Sequence, residues 1–96
     1  MPEITKDHAR EIARKLDATL DNSRSRNHDW MVIEYEGQEV ASFGIRRGSR
    51  RDAGHDYVAK ALHVGPNFAR QIAQCNKERQ DWIDLMIQEG EIEESN

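Results

Sequence analysis

The spacing of apolar residues divides the chain into a helical N-terminal segment, two alternating segments and a helical C-terminal part. In residues 5–20, Ile12, Leu16 and Leu20 recur every four residues, which is the spacing of one face of an amphipathic α-helix. Thr5 is the expected N-cap of this helix. The pattern therefore predicts a first helix over residues 5–20, with its charged side chains facing water.

The next apolar segment, "HDWMVIEYEGQEVASFGIRR" over residues 28–47, alternates with a period of two, as β-strands do. Gly37 supplies the turn between two strands. Two strands alone are marginally stable, so later helices or a short third strand near residues 56–60 must complete the core. The face expected to pack on the first helix carries Met31, Ile33, Tyr35, Ala41, Phe43 and Ile45.

The remainder of the chain has helical spacing with two breaks. A helix could begin at Asp56, but residues 56–60 could instead form a short strand. Pro66 suits the first turn of a second helix. A last helix is expected over residues 76–90, with Asn76 as its N-cap and Gly90 as its stop.

These elements predict an α+β fold with an N-terminal helix, a β-hairpin and two to three C-terminal helices. Residues 1–90 are expected to form a single domain, and residues 91–96 an acidic, frayed tail. No apolar run approaches the ~20 residues of a membrane helix, so no membrane contact is expected. The single Cys75 cannot form an internal disulfide, and the N-terminus has no apolar signal region. Together these features favour the cytoplasm.

The charges are distributed unevenly along the chain. Residues 1–76 carry 12 Lys/Arg against 11 Asp/Glu, a net of +1, whereas residues 77–96 carry 2 against 7, a net of −5. The net charge of −4 at pH 7 therefore comes from the C-terminal segment. A local basic cluster in the first part can still attract an anionic ligand.

The basic cluster lies in the loop after the second strand. Arginine binds phosphate oxygens through two hydrogen bonds and stays charged at any working pH. The loop could therefore hold a phosphate backbone. It could instead be a solvated hairpin end whose arginines pair with Glu34, Glu36 or Asp52. The four arginines of this arginine loop are Arg46, Arg47, Arg50 and Arg51.

Residues 57–72, "YVAKALHVGPNFARQI", resemble a helix-turn-helix. Ala59 and Leu62 stand where that motif has packing residues in its first helix. In that family the second helix enters the major groove through its N-terminal residues. The same segment could also be a plain helical hairpin that closes the core. The base-reading residues that the resemblance implies are Asn67, Arg70 and Gln71.

The order of parts over residues 5–75 is similar to that of the small HicA-type toxins: a helix, a polar break, "NHDWMVIEYEGQEV" and then "LHVGPNFARQI". This resemblance implies a double-stranded-RNA-binding-like α-β-β-β-α fold and cleavage of RNA. The family's essential histidine opens its first strand, and "RNH" places His28 there. His28 would then be a general acid or base, a role that the pKa of histidine suits.

Two further features concern partners and metals. Trp82 and Met86 lie one turn apart on the last helix, where they either enter the core or form a surface for a protein partner or a homodimer. His55, His63 and Cys75 lack the paired spacing of a zinc site, so no metal or cofactor is expected. His55 could cap a helix or contact a phosphate.

The favoured function is that of a small nucleic-acid-binding domain of toxin–antitoxin or regulatory type. In this interpretation the arginine loop holds the RNA or DNA backbone, with Lys60, Asn67 and Arg70 adjacent. One alternative is an RNA-cleaving enzyme centred on His28. The other is a protein-interaction domain that uses Trp82 and Met86.

Overall fold

A computed structural model of the chain describes residues 4–48, 50, 53–74 and 76–92. A three-stranded antiparallel sheet follows an N-terminal helix and precedes the C-terminal helices, which confirms the predicted α+β class. Within the described ranges, no helix is long and apolar enough to cross a membrane. The elements of these ranges are α1 Lys6–Lys15, β1 Thr19–Leu20, β2 His28–Tyr35, β3 Gln38–Arg46, α2 Tyr57–Ala61, α3 Pro66–Ala73 and α4 Arg79–Gln88.

Helix α1 begins at the predicted N-cap. The Thr5 hydroxyl accepts a hydrogen bond from the His8 backbone N–H at 3.2 Å, and His8 Nδ1 accepts one from the Thr5 N–H at 3.1 Å. This reciprocal capping box satisfies two backbone donors that a helix start leaves without partners. The predicted end at residue 20 is wrong, because Asp17 takes a left-handed conformation (φ +58°) and ends the helix.

The residues beyond Asp17 join the sheet and form its third strand. Thr19 pairs with Val32, and Leu20 pairs with Met31, so β1 lies beside β2. The strand considered near residues 56–60 is therefore wrong, since that segment is α2. Its apolar residues are spaced for a helix face, and Val58, Ala59 and Leu62 are buried on it.

The hairpin of β2 and β3 has the expected core face. Ile33 pairs with Ala41 and Met31 with Phe43, and a register shift follows at Ile33/Glu34. Helix α1 packs against β3 and α3, so this face closes the core from one side. Of the six predicted residues, Ile33, Ala41, Phe43 and Ile45 are buried, while Met31 and Tyr35 are partly buried and pack against the core.

Helix α4 completes the core from the other end of the chain. It begins after Glu78, two residues later than the predicted N-cap Asn76, and Gly90 (φ +80°) ends the helical segment as expected. Ile92 is 5% exposed, so the start of the predicted tail packs on the core. The rest of that tail, residues 93–96, lies outside the described ranges.

Candidate nucleic-acid interface

The face of the sheet that points away from the core carries the candidate site. Side chains alternate between the two faces of a strand, so the neighbours of Met31 and Phe43 point outward. The outward residues Trp30 and Val32 are absent from the core cluster. We call the outward residues at the His28 end the outer sheet face: His28, Trp30, Ser42, Gly44 and Arg46.

Gly44 determines how Trp30 lies on this face. A Cβ atom at Gly44 would stand 2.8 Å from both Cε3 and Cζ3 of Trp30 and 3.0 Å from the Cβ of His28. Any larger residue would therefore displace the indole ring. The buried Nε1 of Trp30 has no hydrogen-bond acceptor among the described residues, so packing on Gly44 positions the ring.

Tyr57, the first residue of α2, approaches Gly44 from the side. Its hydroxyl donates a hydrogen bond to the Gly44 carbonyl oxygen at 2.5 Å. Burial raises the pKa of the Tyr57 hydroxyl, and the charge and hydrogen bond of Arg46 oppose this rise. The side chain is nevertheless 36% exposed. Trp30 and Tyr57 therefore flank a single glycine and both reach the surface.

Arg46 brings a positive charge to these rings. Its guanidinium carbon lies 5.8 Å from the centroid of the Tyr57 ring, within the range of a cation–π contact. Arg46 is exposed, and Lys60 is exposed one helical turn after Tyr57 on α2. The structure thus places Arg46 over the Tyr57 ring and Lys60 one helical turn from Tyr57.

His28 lies beside Arg46, because the two are register partners in β2 and β3. It is half-buried, and its Nδ1 lies 3.5 Å from the Ser25 hydroxyl, at the limit of a hydrogen bond. The HicA resemblance implied that His28 opens the first strand, but it opens the second.

Arg47 has a structural role instead. Its Nε donates to the Asp29 carboxylate at 2.7 Å, and its other nitrogens reach the Arg26 carbonyl and the Asn22 side chain at 3.3 Å. These contacts hold the polar segment between β1 and β2 against the end of β3. Arg47 thus forms an ion pair, but with Asp29 and not with Glu34, Glu36 or Asp52, the partners that the solvated-hairpin interpretation named.

Of the other two arginines of the loop, the structure describes Arg50. Arg50 is exposed, and its backbone carbonyl accepts a hydrogen bond from the Ala53 N–H at 3.0 Å. Arg51 and its predicted partner Asp52 lie outside the described residues. The arginine loop therefore contributes Arg46 and Arg50 as exposed cations in the described part of the chain.

His55 is buried, so the predicted phosphate contact at this residue is wrong. Its Nδ1–H donates to the Ala53 carbonyl at 3.0 Å, and its Nε2 accepts from the Arg46 backbone N–H at 3.2 Å. The acceptor role of Nε2 requires the neutral ring, and burial lowers the pKa of His55, against the Ala53 hydrogen bond, which raises it. His55 thus connects the end of β3 to the loop that precedes α2.

The proposed reading helix is α3, and its polar residues share one face. Asn67 and Gln71 are exposed and Arg70 is partly buried, while Ala69 and Ile72 on the opposite side are fully buried. Helix α3 packs against α1 and α2. The first helix of the motif, α2, has only five residues. These polar residues therefore lie on a different element from the arginine loop.

The predicted partner surface on α4 is wrong, because both of its residues belong to the core. Trp82 is 0% exposed and Met86 is 1% exposed. The Trp82 Nε1–H donates to the Leu62 carbonyl at 3.1 Å. Neither side chain is accessible to a partner in the folded chain.

The remaining candidates are a hollow and a metal site. A hollow of about 310 Å³ opens beside α1, with Ala13, Leu20, Met31 and Ile45 in its mainly apolar lining. It lies on the core side of the sheet and does not join the outer sheet face. Among the described residues, no group of three His, Cys, Asp or Glu side chains could hold a metal ion.

Sequence reasoning missed the two aromatic residues of the site. Trp30 alternates with Met31, so the period that places Met31 inward already places Trp30 outward. Tyr57 carried no comparable signal, because its contact with Gly44 joins residues 13 positions apart.

Fold and site together define a small α+β domain with an arginine and a tryptophan on the outward face of its sheet and a tyrosine of α2 at the open edge of β3. No protein-family model, curated protein or solved structure matches this chain. The resemblances to HicA-type toxins and to the helix-turn-helix therefore rest only on the residues quoted for them.

Proposed function

We propose that this protein binds nucleic acid through the outer sheet face, as a small domain of toxin–antitoxin or regulatory type. Arg46 and Lys60 would contact phosphates, with His28 and Arg50 beside them. The observation that carries the proposal is the guanidinium of Arg46 over the exposed ring of Tyr57, with Trp30 packed on Gly44 nearby on the outer sheet face. Cations interleaved with aromatic rings are typical of nucleic-acid-binding surfaces.

The acidic C-terminal segment begins at the opposite end of the sheet from Arg46. Arg79, at the start of α4, donates to the carbonyls of Leu16 at 3.2 Å and Glu34 at 2.8 Å. Glu34 is at the far end of β2 from His28, about 20 Å away at the rise of a strand. The start of the acidic segment is therefore anchored away from Arg46, while its far end returns to the residues just beyond α2, where the Glu91 carboxylate lies 3.7 Å from the His63 ring.

Removing two cations from this face should weaken binding and its dependence on salt. We expect Arg46→Gln/Lys60→Gln to lower affinity about tenfold, and each lost phosphate contact to reduce the slope of log K against log salt by about 0.7 to 0.9. Fluorescence anisotropy with labelled single-stranded RNA, duplex RNA and duplex DNA, at about 50 and 200 mM salt, measures both quantities.

Arg14→Gln/Lys15→Gln is the matched control, because it removes the same charge from α1. Arg14 pairs with Glu11 at 2.7 Å and Lys15 with Glu78, both away from the outer sheet face. This control should keep most of the wild-type affinity. Equal losses in both double variants would mean that net charge alone governs binding, and a wild type that binds no probe at low salt would refute the proposal.

A second candidate function is RNA cleavage by His28. It is favoured by the register pairing of His28 with Arg46, which would bring a bound phosphate next to the imidazole. RNA recovered from the same titration should then show fragments on a denaturing gel. His28→Ala should abolish the fragments and retain binding. Intact RNA after incubation with wild-type protein would end this idea and leave the binding function standing.

A further inference from the structure

We propose that the outer sheet face binds single-stranded nucleic acid by stacking unpaired bases on Trp30 and on the Arg46–Tyr57 pair. This inference rests on the proposed function and specifies its ligand. The structure links four residues by pairwise contacts: Trp30 packs on Gly44, the Tyr57 hydroxyl bonds the Gly44 carbonyl, and Arg46 lies over the Tyr57 ring.

The two rings are fixed by contacts that leave them at the surface. Trp30 packs on Gly44, and the Tyr57 hydroxyl is held by the Gly44 carbonyl at 2.5 Å. Gly44 therefore links the two rings, with Trp30 on the outward face of β2 and Tyr57 at the open edge of β3. A preformed pair of rings loses little side-chain freedom when a ligand binds.

The rings favour unpaired bases over a duplex. A base pair inside a helix has both faces covered by its neighbours, whereas an unpaired base offers a face to an aromatic ring or a guanidinium plane. Such stacking tolerates any sequence, because every base has such a face. Arg46 adds a charge for the adjoining phosphate, so the patch combines both interactions that single strands require.

A purely structural role explains only part of this arrangement. Gly44 and Arg46 point backbone groups toward the open edge of β3, and the side chains of Tyr57 and His55 satisfy them. Such capping protects an edge strand from unwanted pairing. It accounts for the Tyr57 hydroxyl but not for Trp30, which is partly exposed on the outward face and lies outside the core cluster.

The test compares single strands that differ only in their bases. The probes are a labelled oligothymidylate, an abasic oligomer of the same length and backbone, and a duplex of that length. We expect the wild type to bind the oligothymidylate about tenfold more tightly than the abasic oligomer. Stacking should also quench the fluorescence of Trp30, and this quenching should be absent in Trp30→Leu.

Gly44→Ala probes the arrangement without changing any charge. Its Cβ would collide with the Trp30 ring, so we expect the preference for bases to fall while affinity for the abasic oligomer is kept. Gln38→Ala, at an exposed position at the other end of the same strand, should leave both unchanged. Circular dichroism shows whether Gly44→Ala folds. If it does not, Trp30→Leu provides the same comparison.

The outcomes separate this inference from the proposed function. Equal, salt-sensitive binding of the oligothymidylate and the abasic oligomer would overturn base stacking and preserve phosphate binding. A preference for the duplex would overturn base stacking as well. Absence of binding to all three probes would remove both proposals. A preference for bases that survives in both Gly44→Ala and Trp30→Leu would show that the bases bind elsewhere.

Discussion

Replacing Trp82 by alanine is expected to lower the free energy of unfolding by about 3 to 5 kcal/mol. The indole is completely buried, and its Nε1–H supplies a hydrogen bond to the Leu62 carbonyl at 3.1 Å. The substitution creates a cavity and deprives that carbonyl of its donor. Small domains have about 5 to 15 kcal/mol of stability in all, so a substantial part of it would be lost.

Urea unfolding followed by circular dichroism measures this loss as a shift of the midpoint at constant slope. Trp82→Phe should cost about 1 to 2 kcal/mol, because it keeps much of the buried ring and removes the N–H donor. Gln88→Ala, at an exposed position of the same helix, should change stability by less than about 0.5 kcal/mol. A loss below about 1 kcal/mol in Trp82→Ala would mean that α4 is not part of the core.

The first helix shows what local spacing can and cannot predict. The apolar stripe and the Thr5 cap are determined by neighbouring residues, and both were predicted correctly. The end of the helix was not, because Leu20 continues the four-residue spacing of Ile12 and Leu16. In the structure Leu20 belongs to β1, and the left-handed Asp17 that separates it from the helix has no strong local signal.

The third strand could not be found from sequence for a related reason. It has two residues, Thr19 and Leu20, and both are exposed. A pair of exposed residues shows no alternation, so the strand is defined only by its pairing with β2. The segment that the sequence did offer as a third strand is helical, because its apolar residues meet the core at helical spacing.

The sequence predicted the charged residues of the candidate site, but not its aromatic residues, Trp30 and Tyr57. Arg46 and Lys60 could be chosen because cationic residues are visible in sequence. The role of each arginine could not be predicted from the sequence. Arg46 and Arg47 are neighbours of the same residue type, and they differ in the partner that the fold places beside each. For His55 the determining contacts are backbone groups of Arg46 and Ala53, which become its partners only when the chain is folded.

His55 is expected to make stability depend on pH. Burial lowers the pKa of its imidazole, and the charges of Arg46, Lys6 and His28 lower it further, against the opposing hydrogen bond to the Ala53 carbonyl. In the unfolded chain the ring is expected to titrate near its ordinary value of about 6.5. Between these two pKa values the unfolded state binds more protons than the folded state.

The sign of the effect follows from this difference. Stability from His55 is fully present above pH of about 6.5, falls as the pH is lowered through that value, and levels off below the folded-state pKa. Urea unfolding at a series of pH values from about 8 to 5 measures the decline. At the upper end His55→Ala should cost about 3 kcal/mol, because the Arg46 N–H and the Ala53 carbonyl both lose their partner.

Comparing the pH dependence of stability in the wild type and in His55→Gln isolates the contribution of His55. His55→Gln removes the titrating ring, so its stability should not show the part of the decline with falling pH that comes from His55. The His63 side chain is 44% exposed, and His63→Gln should show the same decline as the wild type. A decline that runs parallel in wild type and His55→Gln would assign the proton uptake to another group. In the folded chain the ring takes up its proton only below its lowered pKa, so the contact with the Arg46 backbone N–H, and with it ligand affinity at the outer sheet face, should be kept through the decline and fall below that pKa.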